Sequence, residues 1–281
     1  MRACEQLAAD MPPDLNLPVS SAETLCASSE PDWRLAIDFG TTNTSIAVAV
    51  GTEISEIPDD VLQSIGGFPG DRALDQKDTQ VPTEIAYLSA ANDNSEPLDA
   101  KRNVLYGYMV KRTWDLPEGD IDKAGFHQKH RVCKMKLLLD PSTYTTGLRG
   151  ALQRTLSELK DRALIQKNED VITDILKCFL QHTKHVLERD YGLLKRDTGM
   201  YNHPEHPLFN ILTSSVELTF TVPVCWSAKA NSIMSNCLQQ AMRQIQFGVD
   251  EQSICNIFMV NEAEAAATYA ISSLKQRLRV S

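Results

Sequence analysis

The hydrophobic pattern of this chain predicts an α/β fold, and three observations carry that class. Short apolar runs of strand length, separated by Gly-, Pro- and Asn-rich pieces, fill residues 35–110. Two long stretches with helical spacing follow, between Thr146 and Tyr191. From Val216 onward strand and helix alternate, the order of a layered α/β body. A length of 281 residues suffices to bury a sizeable core in one domain or two.

Residues 1–33 mix Pro, Ser, Ala and acids without sustained periodicity, and read as a mobile tail ahead of a folded body over residues 34–281. Strands are expected at Leu35–Phe39, Thr44–Val50, Val61–Ile65, Thr83–Leu88 and Val104–Val110. The polar stretch Thr113–His130 reads as a loop.

A helix is expected over Thr146–Gln166 and another over Glu169–Tyr191, with Asn168 as N-cap and Gly192 as stop. The second carries Ile172, Ile175, Leu176, Phe179, Leu180, Val186 and Leu187 on one stripe. Val216–Val222 reads as a strand closed by Pro223. A helix capped by Ser227 follows over Ala228–Phe247, then a buried strand at Ile254–Val260 and a last helix from Asn261.

Composition narrows the function classes. The formal net charge of −9 disfavours nucleic acid and anionic membrane as partners. Apolar runs are short and broken by charges, and no secretory pattern opens the chain, so a cytoplasmic protein is expected. The seven cysteines lack C-x-x-C spacing and read as small core residues with free thiols. All six histidines fall in H-x-x-H pairs, 127/130, 182/185 and 203/206. No cysteine pair or H-E-x-x-H completes a zinc site, so surface histidines are expected. Dinucleotide, P-loop and G-x-S-x-G motifs do not occur.

The most informative segment is Leu35-Ala36-Ile37-Asp38-Phe39-Gly40-Thr41-Thr42-Asn43-Thr44-Ser45, an apolar run, a carboxylate, a Gly-Thr-Thr turn and a second run at Ile46–Val50. Such a hairpin aims backbone N–H groups and hydroxyls at a phosphate, with a carboxylate beside them for a hydrated cation. The same aspartate can instead bond the amides of its own turn.

This hairpin resembles the first phosphate-binding hairpin of the actin, sugar-kinase and 70-kDa heat-shock chaperone superfamily. Two later segments fall in the family's order. Leu218-Thr219-Phe220-Thr221-Val222-Pro223 resembles its I-T-V-P strand end, and Met259-Val260-Asn261-Glu262-Ala263-Glu264-Ala265-Ala266-Ala267 its I-N-E-P-T-A-A-A helix start. Val81-Pro82-Thr83-Glu84-Ile85-Ala86-Tyr87 and Lys134-Met135-Lys136-Leu137-Leu138-Leu139 are similar to the divergent heat-shock 70-kDa protein 12 type. The resemblance implies a ribonuclease-H-like mixed sheet flanked by helices, forming lobe one of an actin-like ATPase domain. It implies ATP and magnesium as ligands. Asp38 would hold magnesium through water, Gly40, Thr41 and Thr42 would cradle phosphate, and Pro223 would lie beside the nucleotide. Glu262 would orient water, and Lys136, or else Lys134, would reach the transferring phosphate. Glu264 also suits a capping box with Asn261.

The second D-x-G-x-G-T hairpin and adenosine pocket of that family have no counterpart after Tyr269. Lobe two is therefore expected to be missing, leaving a weak or inactive half-site with an apolar face open to clients or another protein partner. Two function classes follow: an ATP-binding lobe of a 70-kDa heat-shock-like ATPase, or a degenerate, non-catalytic module acting through protein interaction.

Overall fold

A computed structural model of the chain describes residues 33–50, 62–71, 79–88, 104–116, 126–140, 142–197, 216–249 and 254–279. The expected tail lies outside these, except Trp33, which is buried and opens the first strand. The remainder is mixed α/β, with a mixed sheet flanked by helices.

Strands β1 (Trp33–Phe39), β2 (Asn43–Val50), β3 (Leu62–Ser64) and β4 (Gln80–Pro82) form one side of the principal sheet; β8 (Val216–Val222) and β9 (Asn256–Asn261) form the other. The order is β3-β2-β1-β8-β9, with β4 also pairing with β2. β2 runs antiparallel to β1, whereas β8 and β9 run parallel to it. Alternation fixes the faces. Leu35, Ile37 and Phe39 on β1 and Leu218 and Phe220 on β8 point into the core. Ala36, Asp38, Thr219 and Thr221 fall on the opposite, partly open face.

The core face is covered by α3 (Asp170–Asp197) and α4 (Ala228–Ile245), which pack on each other. Ile172, Ile175, Leu176, Phe179 and Leu180 of α3 are fully buried, as are Met234, Leu238, Ala241 and Met242 of α4. Burying each such side chain contributes about 1.5–3 kcal/mol. Ser227 caps α4 by accepting from the Ala230 amide at 3.2 Å, and Gln246 ends it in the left-handed region.

A second, three-stranded sheet has the order β6 (Val104–Tyr106), β5 (Glu84–Leu88), β7 (Phe126–Cys133). Only Thr83 separates β4 from β5, so one ribbon passes from sheet to sheet. The Thr83 amide donates to the Thr42 carbonyl at 2.8 Å, and its hydroxyl meets that of Thr44 at 2.8 Å in the buried interior. These bonds pin the Gly-Thr-Thr turn to the strand beneath it.

Several expectations are corrected. Val104–Val110 is not one strand: Gly107, at φ 57°, turns the chain after β6 and starts α1 (Tyr108–Trp114). Phe126–Cys133 is a strand rather than a loop, because backbone pairing with β5 tolerates the polar side chains that hide it. Helix α2 (Thr146–Asp161) ends short of Gln166, where Ala163 adopts φ 56° and the Leu164 amide bonds back to Leu159. Helix α3 runs through Gly192 to Asp197; one helical glycine costs only about 1 kcal/mol. Asn168 does not cap it. Its Oδ1 is buried without a hydrogen-bond partner, while the Lys167 carbonyl accepts from the Asp170 amide and the Glu169 carbonyl from those of Ile172 and Thr173. β9 is an edge strand in the described sheet, with Phe258 53% exposed, not a buried one. Nor are the histidines all at the surface. His130 is fully buried, and His182 is half-buried against Phe68 with ring centroids 4.3 Å apart. His203 and His206 lie outside the described residues.

Cys237 is buried and Cys225 exposed; both carry free thiols, as do Cys133 and Cys178. Among the described residues, no helix is long and apolar enough to cross a membrane.

Candidate functional site

A cleft of about 670 Å³ opens at the C-terminal ends of β1 and β8, where the β1–β2 turn meets the first turn of α5 (Glu262–Arg279). Asp38, Gly40, Thr41, Lys136, Pro223 and Glu262 line it, together with Thr221, Ala265, Ala266 and Tyr269. Segments far apart in the chain thus meet at one place, with Asp38 and Glu262 lying 224 residues apart in sequence (262 − 38).

Asp38 sits one residue from the end of β1, on the open face. The Thr221 hydroxyl, from the parallel neighbour β8, donates to its Oδ1 at 2.7 Å. This bond orients the exposed carboxylate along the strand ends. Gly40 closes the turn: a Cβ there would run into the Asn43 carbonyl, so the tight bend admits only glycine. Thr41 lines the cleft, but Thr42 does not; it is exposed, and its carbonyl is turned to the Thr83 amide.

Lys136 and Lys134 part company. Lys134 takes the left-handed conformation at φ 57° and is exposed. Lys136 lies in the following 3-10 turn (Met135–Leu139), anchored by the buried Met135, and is itself only 6% exposed. Its ammonium donates to the Phe39 carbonyl at 2.7 Å and pairs with Glu262 Oε1 at 2.5 Å. It also stands 5.6 Å from the centroid of the Trp226 ring. A buried cation is costly without such partners. Here a carbonyl, a carboxylate and an aromatic face supply the compensation.

Glu262 is the first residue of α5, where the helix dipole favours negative charge. Asn261 caps this helix by accepting from the Ala263 amide at 2.8 Å. Pro223 ends β8, and its carbonyl accepts from the Trp226 amide at 3.2 Å, closing the turn into α4.

Chemically, this is a cationic point beneath a hairpin, flanked by two carboxylates. An anionic group entering beside Lys136 would compete with Glu262 for the ammonium. Asp38 suits a cation held through its water shell, which takes few protein carboxylates. Among the described residues there is no cluster of three or more His, Cys, Asp or Glu side chains of the kind that cages a metal directly.

Sequence reasoning assigned no role to Thr221, Trp226 or Tyr269. Thr221 was discoverable once β1 and β8 were taken as parallel neighbours, since its side chain then shares a face with Asp38. Trp226 and Tyr269 carry no comparable signal, because their placement depends on the turn after β8 and the direction of α5.

No protein-family model matches this chain, and no curated protein does.

Proposed function

We propose that this chain is a nucleotide-binding lobe of the actin-like ATPase type, taking the phosphates of ATP with magnesium. The observation that carries this reading is the ion pair between Lys136 and Glu262 directly beneath the Asp38–Gly40–Thr41 turn. Three motifs that resemble the family only as short strings converge on one cleft, which supports the reading. The sheet order β3-β2-β1-β8-β9, with β2 alone antiparallel among the strands adjoining β1, supports the ribonuclease-H-like form of the fold.

In this mechanism Gly40 and Thr41 present the hairpin to phosphate oxygens. Asp38, steadied by Thr221, would hold a hydrated divalent cation through its water ligands, and a cation bound there would supply neutralisation of phosphate charge. Lys136 leaves Glu262 for the terminal phosphate and offsets charge there. The freed Glu262 carboxylate then accepts a hydrogen bond from the attacking water and orients it. The described cleft is open to solvent, so contacts made there are screened by water and weak binding with little turnover is expected.

Titrating magnesium and ATP into the folded chain tests the reading. Saturable binding that is lost in Asp38→Ala supports it, and a folded chain that binds no nucleotide removes it. The second reading, a non-catalytic interaction module, is favoured by one observation. Ile254, Phe258, Tyr269, Ile271 and Leu274 are all more than half exposed at the β9–α5 end. Under that reading nucleotide does not bind, and substitution of these residues by serine removes self-association or partner capture.

A further inference from the structure

We infer that Trp226 is a positioning residue, whose indole face holds the Lys136 ammonium beneath the β1–β2 turn when Glu262 gives it up. The inference rests on the nucleotide-binding reading for its consequence, but on geometry for its contact.

A lysine on a flexible four-carbon stem is a poorly aimed cation. Lys136 has three partners, and they differ in how firmly they stay. The Glu262 side chain is 42% exposed and begins a helix that is largely open to solvent, so it is the partner that can leave. The Phe39 carbonyl belongs to β1 and cannot move without the sheet. The Trp226 indole is 8% exposed and joined to the main hydrophobic core.

Both sides of Trp226 are braced. Its own amide bonds to the Pro223 carbonyl at 3.2 Å, and the next residue, Ser227, caps α4. The ring centroid therefore stands at a fixed 5.6 Å from the ammonium, inside the roughly 6 Å over which a cation is drawn to an aromatic face. Indole gives the strongest such attraction among the aromatic side chains, and more so away from water. A phosphate approaching from the cleft then meets an ammonium already aimed, with only the outer carboxylate to displace.

A double-variant cycle in the full chain separates positioning from mere packing. Binding of magnesium–ATP is measured by calorimetry for wild type, Trp226→Leu, Lys136→Met and the pair together. Trp226→Leu is expected to weaken binding roughly 3- to 10-fold. In the Lys136→Met background the same change adds no further loss. Trp226→Phe, which keeps a weaker aromatic face, falls between wild type and the leucine variant, and it carries the comparison where the leucine variant does not fold. Wild-type affinity in Trp226→Leu, or its full loss repeated without Lys136, overturns the inference.

A ligand-free arm uses lysine labelled with 13C at Cε, with the Lys136 signal identified by its disappearance in Lys136→Met. Its methylene protons are expected upfield from ring-current shielding, and to move to the position of exposed lysines in Trp226→Leu. A signal that does not move overturns the contact. If the signal moves but wild type binds no nucleotide, the contact stands and the nucleotide reading alone fails.

Discussion

Lys136 and Glu262, 126 residues apart in sequence, meet at 2.5 Å beneath the turn that follows β1. The lysine is almost wholly enclosed and the glutamate is not. That asymmetry makes the two partners differ in what their loss costs.

Glu262→Ala leaves an enclosed ammonium with the Phe39 carbonyl and the Trp226 face but no counter-charge. Water reaches the half-exposed glutamate position and replaces part of what is lost, so stability falls by about 1–2 kcal/mol. Lys136→Met removes the buried charge and keeps the apolar stem, and is expected to unfold within about 1 kcal/mol of wild type. Urea melts of the two variants check the order. A methionine variant much less stable than the alanine variant contradicts it.

Thr221→Val deletes the hydroxyl that donates to Asp38 Oδ1. The carboxylate is exposed and stays hydrated, so stability changes by only about 0.5–1.5 kcal/mol. Its orientation is lost, and magnesium-dependent nucleotide binding is expected to weaken several-fold while binding without magnesium stays the same. Calorimetry with and without the cation reads the difference.

His182 packs against Phe68 with the ring planes tilted by 33°, and its Nε2 lies 3.1 Å from the Gly66 carbonyl. Burial lowers its pKa below the ordinary 6.5; the Gly66 bond opposes this, and His185 and Arg189 add to it. The unfolded chain therefore binds the proton more readily than the folded one. The stability from this group is complete above pH 6.5 and is lost as pH falls through the lowered folded value. His182→Gln keeps a donor toward Gly66 and removes the titration. Its midpoint of thermal unfolding is expected to drop less than that of wild type between neutral and mildly acidic pH.

Among the described cysteines, Cys225 is exposed and Cys237 is buried. Burial, with Asp174 beside it, pushes the Cys178 thiol up to about 12. Burial also raises the Cys237 thiol. Since the thiolate is the reactive form, Cys225 should label ahead of Cys178 and Cys237 in native protein, those two only after unfolding. Peptide mapping after timed alkylation shows the order.

Much of this arrangement was legible in the sequence where periodicity and burial agree. The stripe Met234, Cys237, Leu238, Ala241, Met242 and Ile245 is the buried face of α4, and the stripe from Ile172 to Leu180 that of α3. β1 and β2 were legible because a polar turn interrupts two apolar runs. β7 was not, since the polar run from His127 to Arg131 reads as a loop, and only the pairing of Phe126 and of Arg131, Val132 and Cys133 with β5 makes it a strand. α1 was hidden by Gly107, whose role as a start rather than an interruption depends on a positive φ. Within the cleft, residue type pointed to Asp38, Gly40 and Glu262. The choice between Lys134 and Lys136 needed the backbone: one residue sits in a left-handed conformation facing water, the other in a 3-10 turn facing the sheet.

The central claim is that the turn after β1 and the enclosed lysine beneath it receive the phosphates of a nucleotide. The most direct test is a magnesium–ATP titration followed by amide and lysine side-chain NMR shifts. Saturable movement of the Gly40 and Thr41 amides together with the Lys136 signal, and its absence with adenosine, is the predicted result. A folded chain in which those three signals stay still while others move, or in which none moves, contradicts the account.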